Sequence, residues 1–380
     1  MVDLVDKNKC TGCTSCFNIC PMGAINMQEE DGKLLYPEIN ESICIECNMC
    51  KNHCPVYLKE EITNRCKDKQ VEVYACINNN EQDRMLSSSG GIFTLLANYV
   101  LDNKGIVFGV KFDDDLNVVH DFIEKKEDLY KFRGSKYTQS DLKESFKKVR
   151  DFLNEGRLVY FSGTPCETNG LKIFLDKDYD NLIIQDCICH GAPAPELLEK
   201  YIDYLEKHYS SIYGKEKKIV KFSFRDKENL GWSKYQLRIE LDGGNVEYID
   251  HDKSSFMKIF LNDYALRNSC FECFNKGNNL LSDITLGDYW GINNVHEELN
   301  DEKGTSLIIL NSEKGKELFN IIKDKIKYIE SKREYIEKYN PSYISPAKDN
   351  EIRKTFLKDL KELSYGDIKD KYIEDSKNFI

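Results

Sequence analysis

The sequence predicts an α+β protein in three parts: a cysteine-rich N-terminal module, a mixed α/β domain and a helical C-terminal tail. Two repeated cysteine runs within the first 54 residues define the module. From Val71 onward, short apolar runs alternate with amphipathic periods, the pattern of strands interleaved with helices. The last part is Lys- and Glu-rich with a helical period, as expected of helices packed on the outside of a fold. The parts divide at residues 1–57, a polar linker 58–70, a domain 71–310 and a tail 311–380.

In the module, CTGCTSCFNICP places Cys10, Cys13, Cys16 and Cys20 before Pro21, and CIECNMCKNHCP places Cys44, Cys47, Cys50 and Cys54 before Pro55. Both read C-x2-C-x2-C-x3-C-P, the bacterial ferredoxin run that binds [4Fe–4S] clusters and lends its fourth cysteine to the other cluster. Cys10, Cys13, Cys16 and Cys54 are therefore expected to hold one cluster, and Cys44, Cys47, Cys50 and Cys20 the second. Zinc knuckles or a disulfide framework are the alternatives, but zinc sites favour two well-separated pairs over three cysteines at x2 intervals. Between the runs, INMQEEDGKLLYPEIN reads as a hairpin turning at Asp31-Gly32.

Composition narrows the function classes. With 380 residues and 41% hydrophobic content, the chain has room for two or three domains with substantial cores. No apolar run is long enough to suggest a membrane span. The charged start MVDLVDKNKC leads straight into the first ligand, so no signal peptide is expected. Fifteen cysteines then imply reduced thiols used as ligands in the cytoplasm of a low-oxygen cell. A net charge of −11 with interspersed signs leaves no basic face for nucleic acid.

The domain from Val71 follows element by element. VEVYACI is a strand, SSSGGIFTLLANYVLDN a helix, and GIVFGVKF and NVVHDFIE are strands separated by DDDL. DLKESFKKVRDFLNEG is an amphipathic helix, RLVYFSG a buried strand, CETNGLKIFL a helix, NLIIQDCIC a strand and PELLEKYIDYLEKHY a helix. KIVKFSFRD, YQLRIEL and VEYIDH read as antiparallel strands, the last two joined at Asp242-Gly243-Gly244. ITLGDYW and SLIIL are further strands, and SEKGKELFNIIKDKI a helix.

Four glycine-containing turns lie at strand ends or helix starts. Ser87–Gly91 (SSSGG) offers hydroxyls and backbone N–H groups to an anion such as a cofactor phosphate, or serves as an ordinary serine cap. GSKYTQSDL carries Lys136 and Tyr137, the latter able to stack on an aromatic ring. FSGTPCETNGL and DCICHGAPAPE each end a buried strand, where open α/β sheets place their ligands. Cys166 and Cys189 sit on these two turns, and Cys270 and Cys273 form C-x2-C further on. Together they suit a third [4Fe–4S] cluster, with zinc or packing thiols as the alternatives. Cys187 is a spare candidate for Cys189, while Cys66 and Cys76 read as structural.

The ordered motifs SSSGG, GSKYTQS, GTPCETNGL, CHGAPAP, FRDKENLGW, CFEC and SDITLGDYWG resemble the coenzyme F420 hydrogenase/dehydrogenase beta-subunit family, which includes the related 7-hydroxymethyl chlorophyll a reductase. The resemblance covers about residues 1–300. It implies a flavin-binding domain: FAD beside an iron–sulfur centre, with an electron-pair acceptor at the flavin face. Ser88, Ser89, Gly90 and Gly91 would then meet the FAD phosphates. Lys136, Tyr137, Thr164, Asn169, His190 and Gly191 would line the flavin, with His190 as general acid. Cys166, Cys189, Cys270 and Cys273 would hold the nearest cluster. The expected function is an FAD-dependent iron–sulfur oxidoreductase fed by ferredoxin or a partner redox subunit, acting on coenzyme F420 or another small-molecule acceptor. The alternatives are a relay subunit of a larger hydrogenase or dehydrogenase without its own substrate, and a metal-stabilised scaffold without redox turnover.

Overall fold

A computed structural model describes residues 2–380. Its strands are β1 (Ile25–Glu30), β2 (Leu34–Ile39), β3 (Glu72–Asn78), β4 (Ile106–Phe112), β5 (Val118–Ile123), β6 (Val159–Gly163), β7 (Leu182–Cys187), β8 (Ile219–Asp226), β9 (Gln236–Leu241), β10 (Val246–Asp250), β11 (Ile284–Asp288), β12 (Ser306–Leu310) and β13 (Ile326–Glu330). Eight of them form one mixed sheet in the order β13-β3-β12-β11-β7-β6-β4-β5. Its centre, β4-β6-β7-β11, is parallel, and the flanking pairs are antiparallel.

Helices cover both faces, which is why the central strands read as unbroken apolar runs. On one face Leu96 and Val100 of helix Ile92–Asp102 and Phe319 and Ile322 of helix Glu313–Ile322 pack on Val107, Tyr160, Ile183 and Ile308. On the other, Phe146 and Val149 of helix Ser145–Asn154 and Leu171 and Phe174 of helix Pro165–Leu175 pack on Phe108, Phe161 and Ile184.

A second core lies beside this sheet. The antiparallel sheet β10-β9-β8 buries Phe222, Phe224, Leu237 and Ile239 against Tyr201 and Leu205 of helix Pro195–Tyr213 and Phe256 of helix Ser255–Leu261. Here the tail departs from expectation. Phe356, Leu360, Tyr365 and Ile368 from its helices are buried in this core, and β13 from the same tail is an edge strand of the main sheet. The short apolar spacing of IKYIE within a charged context hid that strand. The expected linker departs too: Lys59–Cys66 is a helix whose Ile62 and Cys66 are buried beside Ile173.

The N-terminal module is docked on the α/β core. β1 and β2 form the expected hairpin, with Asp31 and Gly32 at positive φ in its turn. The contact with helix Pro165–Leu175 is close: a Cβ added at Gly170 would lie 2.9 Å from the Cβ of Cys13. Asn18 donates to the Lys143 carbonyl at 3.1 Å, and Glu196 N–H to the Gly32 carbonyl at 3.0 Å. Among the described residues no helix is long and apolar enough to cross a membrane.

Candidate redox cavity and cluster sites

The repeated cysteine motif produces a repeated backbone. Gly12 and Thr14 in the first loop adopt positive φ, and Glu46 and Asn48 do so in the second, each curl leading into a short helix. Cys10, Cys13, Cys16 and Cys54 line one small inner cavity with Val5, Val56 and Pro37, and Cys50 also borders it. Cys20, Cys44, Cys47 and Cys50 line a second, outer one with Val2, Ile25 and Ile39. Burial, reinforced by Cys54 and Cys10, pushes the Cys13 thiol up to about 12, and burial with its three neighbouring thiols raises Cys16 strongly. Such clustered thiols deprotonate only against concentrated positive charge, which an iron cluster supplies. Among the described residues no three Cys, His, Asp or Glu side chains converge closely enough for a single metal ion.

A cavity of about 620 Å³ opens where β6, β7 and β11 end. Its walls combine Ser87–Ser89 and Gly91, Arg133–Ser140, Gly163–Glu167, Cys187–Ala192, Cys270 and Cys273, and Gly287, Asp288 and Trp290. Thr164 caps helix Pro165–Leu175 in a capping box: its backbone N–H donates to Glu167 Oε2 at 2.7 Å, and Pro165 occupies the first turn. This cap aims Cys166 into the cavity wall, with its sulfur 3.3 Å from Thr164 Oγ1. Cys166 lies within electrostatic reach of Cys189 and Cys273, and Cys189 within reach of Cys270 and Cys273. Burial raises all three of the Cys166, Cys189 and Cys270 thiols. Cys187 lines the same wall, where burial with Asp186 and Glu167 pushes it up to about 12. Lys276 supports the cluster of thiols by donating to the Cys189 carbonyl at 2.5 Å. Cys66 and Cys76 are fully buried away from this wall.

The other sequence-selected residues divide. Ser88, Ser89, Gly91, Tyr137, Thr164, His190 and Gly191 line the cavity. Ser88 Oγ accepts from Ser135 N–H at 2.8 Å, tying the Ser-Gly turn to the Lys136 loop. Tyr137 stacks on Phe260 with centroids 5.0 Å apart. His190 Nε2 pairs with Asp263 Oδ1 at 2.6 Å. Lys136 lines the cavity, yet its Nζ donates to the carbonyls of Lys131, Arg133 and Gly134, so the ammonium is spent on its own loop.

Two expectations are corrected. Gly90 is not in the lining: its N–H donates to Ser306 Oγ at 2.9 Å, and a Cβ there would lie 2.5 Å from the Cys76 carbonyl oxygen. It is a packing glycine. Asn169 is fully buried outside the cavity, donating to Asn275 and the Asn279 carbonyl and accepting from Leu281 N–H. Every part of its amide is used to hold the 275–281 loop.

Several site residues escaped the sequence reading. Arg267 is 1% exposed and joins the two halves of the molecule. It donates to the Cys10 carbonyl at 2.9 Å, the Leu35 carbonyl at 2.6 Å and Gln139 Oε1 at 2.9 Å, and stacks over Tyr36. Its charge also reaches Cys270. Behind Cys166, His120 Nδ1, Ser140 Oγ and Glu167 Oε1 form a buried chain with links of 2.8 and 3.0 Å. Burial lowers His120 below the ordinary imidazole value. Arg225, next to last in β8, and Asp288, the end of β11, form an ion pair on the cavity wall. The only signal for them was a charged residue closing an apolar strand, in KFSFRD and ITLGD.

These features define an iron–sulfur electron-transfer protein in which a dicluster module is docked on an α/β domain. Residues 9–57 match the 4Fe-4S dicluster domain model. Residues 73–147 and 156–334 match the models for the N-terminal and C-terminal parts of the coenzyme F420 hydrogenase/dehydrogenase beta subunit. The chain belongs to that family of oxidoreductases. It is 24% identical over 321 residues to the coenzyme F420-dependent sulfite reductase of Methanocaldococcus jannaschii, covering 84% of this chain and 47% of that enzyme, so the chain spans about half its length. The cysteine module is 38% identical over 53 residues to the pyruvate synthase subunit PorD of the same organism, covering 14% of this chain and 57% of that subunit. A chain of the F420-reducing [NiFe] hydrogenase complex from Methanosarcina barkeri superposes with a TM-score of 0.47 at 15% identity, covering 80% of this chain and 92% of that one.

Proposed function

We propose that the chain is an FAD-dependent iron–sulfur oxidoreductase that passes electrons between three [4Fe–4S] clusters and a flavin, and on to coenzyme F420 or another small-molecule acceptor. The observation that carries this reading is the convergence of Cys166, Cys189, Cys270 and Cys273, from three separate loops, on the wall of the cavity that the Ser-Gly turn also lines. Cys10, Cys13, Cys16 and Cys54 would hold the inner cluster, Cys20, Cys44, Cys47 and Cys50 the outer one, and the cavity cysteines the third. Ser88, Ser89 and Gly91 would meet the FAD phosphates, while Tyr137, Thr164 and Gly191 would border its ring. The cavity volume falls in the range of small-molecule and cofactor sites. Bound clusters supply single electrons, and a bound flavin exchanges single electrons for a pair.

The order of the sites supports a directed path. The outer loop exposes Cys47, with Ile43, Ile45 and Met22 exposed around it, which suits the approach of reduced ferredoxin or a partner subunit. The inner site is buried against the α/β domain, and Thr11, between its ligands Cys10 and Cys13, already lines the cavity. His190, held by Asp263, would donate a proton.

Anaerobic purification with iron, sulfide and flavin quantified tests this reading. About twelve irons per chain, four per cluster, together with one FAD are expected. About eight irons without flavin would confine the redox groups to the N-terminal module and overturn the proposal.

A further inference from the structure

Strand β8 carries Arg225 into the cavity wall beside the end of β11. The residue is 7% exposed. Its Nη1 donates to Asp288 Oδ2, and the other oxygen of Asp288 accepts from Trp232 Nε1 at 3.0 Å. The guanidinium lies 4.4 Å from the Tyr235 ring centroid and 5.6 Å from that of Trp290. Burial acts to lower its pKa and the Asp288 carboxylate to raise it, and the net shift is upward. Among the described residues, however, Nε and Nη2 have no hydrogen-bond partner. The Tyr137 hydroxyl lies beside the guanidinium and makes a side-chain contact with it that leaves Nε and Nη2 short of well-formed hydrogen bonds.

Leaving two donors of a buried cation unmade is expensive. These two are also the side-on pair of the guanidinium fork, parallel N–H groups whose spacing matches two oxygens of one carboxylate or phosphate. Asp288 occupies the far nitrogen and fixes the plane, so the unpaired, solvent-shielded edge of the fork is held in one orientation within the cavity wall. Trp290, stacked on Trp232 at 4.9 Å and still 37% exposed, gives the same wall an aromatic surface.

We propose that Arg225 is an oxyanion seat in the cavity, its Nε–H and Nη2–H groups binding two oxygens of a phosphate or carboxylate on a ring-bearing ligand. The seat deepens the reading of the cavity as a flavin and acceptor site and rests on it. Two sources share the chemistry: the diphosphate of FAD, and an anionic group on the acceptor.

The test compares the full-length wild type with Arg225→Met and Arg225→Lys, each checked for folding by its thermal transition. FAD and riboflavin are titrated into deflavinated protein, and coenzyme F420 and its phosphate-free deazaflavin chromophore into flavin-loaded protein. Arg225→Met should weaken one charged ligand by about tenfold or more while leaving its uncharged counterpart within about twofold. Loss for FAD assigns the seat to the cofactor, and loss for F420 assigns it to the acceptor. Arg225→Lys keeps the charge against Asp288 but not the fork, should lose affinity in the same selective way, and decides the matter if the Met variant does not fold. Unchanged binding of both charged ligands, or equal loss of charged and uncharged members, overturns the seat. A wild type that binds neither flavin nor F420 overturns the flavin reading instead. Calorimetry with inorganic pyrophosphate then decides the seat: it stands only if wild type binds about tenfold more tightly than the variants.

Discussion

The two cysteine loops of the N-terminal module have the same spacing and the same backbone curl, yet they sit in opposite surroundings. Around the outer loop Cys47, Ile43, Ile45 and Met22 are exposed. Around the inner loop Cys10 and Cys13 are buried, Gly170 lets a helix of the α/β domain press against Cys13, and Arg267 grips the Cys10 carbonyl. A motif fixes the cysteine spacing, and the surrounding packing decides whether that loop faces outward or the α/β domain. By this contrast, substitutions at the inner loop should cost stability and coupling, while those at the outer loop should cost only electron entry.

The largest expected effect is at Arg267. Replacing it with Met strips charge-assisted bonds from the buried Cys10 carbonyl, the half-buried Leu35 carbonyl and Gln139, at a cost of about 3 kcal/mol. Thermal unfolding should show it, with the module separating from the α/β domain before the main transition. Gly170→Ala comes next. The new Cβ would meet Cys13 Cβ at 2.9 Å and Sγ at 3.1 Å, a clash worth about 1–3 kcal/mol. Iron content and cluster spectra should show the inner site perturbed and the outer one intact.

Ile45→Glu should leave stability within about 0.5 kcal/mol, since the residue is 61% exposed. It should slow reduction by a ferredoxin-type protein donor several-fold while leaving reduction by dithionite unchanged. Equal slowing with both donors would remove the outer loop as the entry face. A pH-dependent effect concerns Lys227, whose Nζ donates to the carbonyls of Ser89 and Lys303 beside the Ser-Gly turn. Burial, with Arg84 and Arg225 nearby, pulls its ammonium down to about 7. Between that value and the ordinary lysine range, the folded state sheds a proton that the unfolded chain keeps. Stability from this group therefore rises with pH across that window. Lys227→Met should remove about 2 kcal/mol of the rise between pH 7 and 9, read from denaturant titrations.

Legibility in the sequence followed locality. The eight N-terminal cysteines lie within two short runs, so the dicluster module could be read from their spacing, as could the alternation that gives β3 to β7 and their helices. The cavity is assembled from segments as distant as Ser88 and Trp290, and only sheet topology brings them together. Asn169 follows a cavity loop but turns inward, because its position on helix Pro165–Leu175 faces the 275–281 loop. Arg225 and Arg267 were illegible because a single arginine in a charged chain carries no sign of being buried. β13 was missed because its pairing with β3 joins residues far apart in sequence.

The most direct measurement follows electrons from the outer loop to the cavity in one anaerobic stopped-flow experiment. Wild type and Cys270→Ser are mixed with reduced ferredoxin, and cluster and flavin absorbance are recorded together. In wild type, cluster reduction should be followed by flavin bleaching. In Cys270→Ser the N-terminal clusters should still be reduced while flavin bleaching slows strongly or stops. Flavin that bleaches at the same rate in both proteins would contradict a third centre on the route.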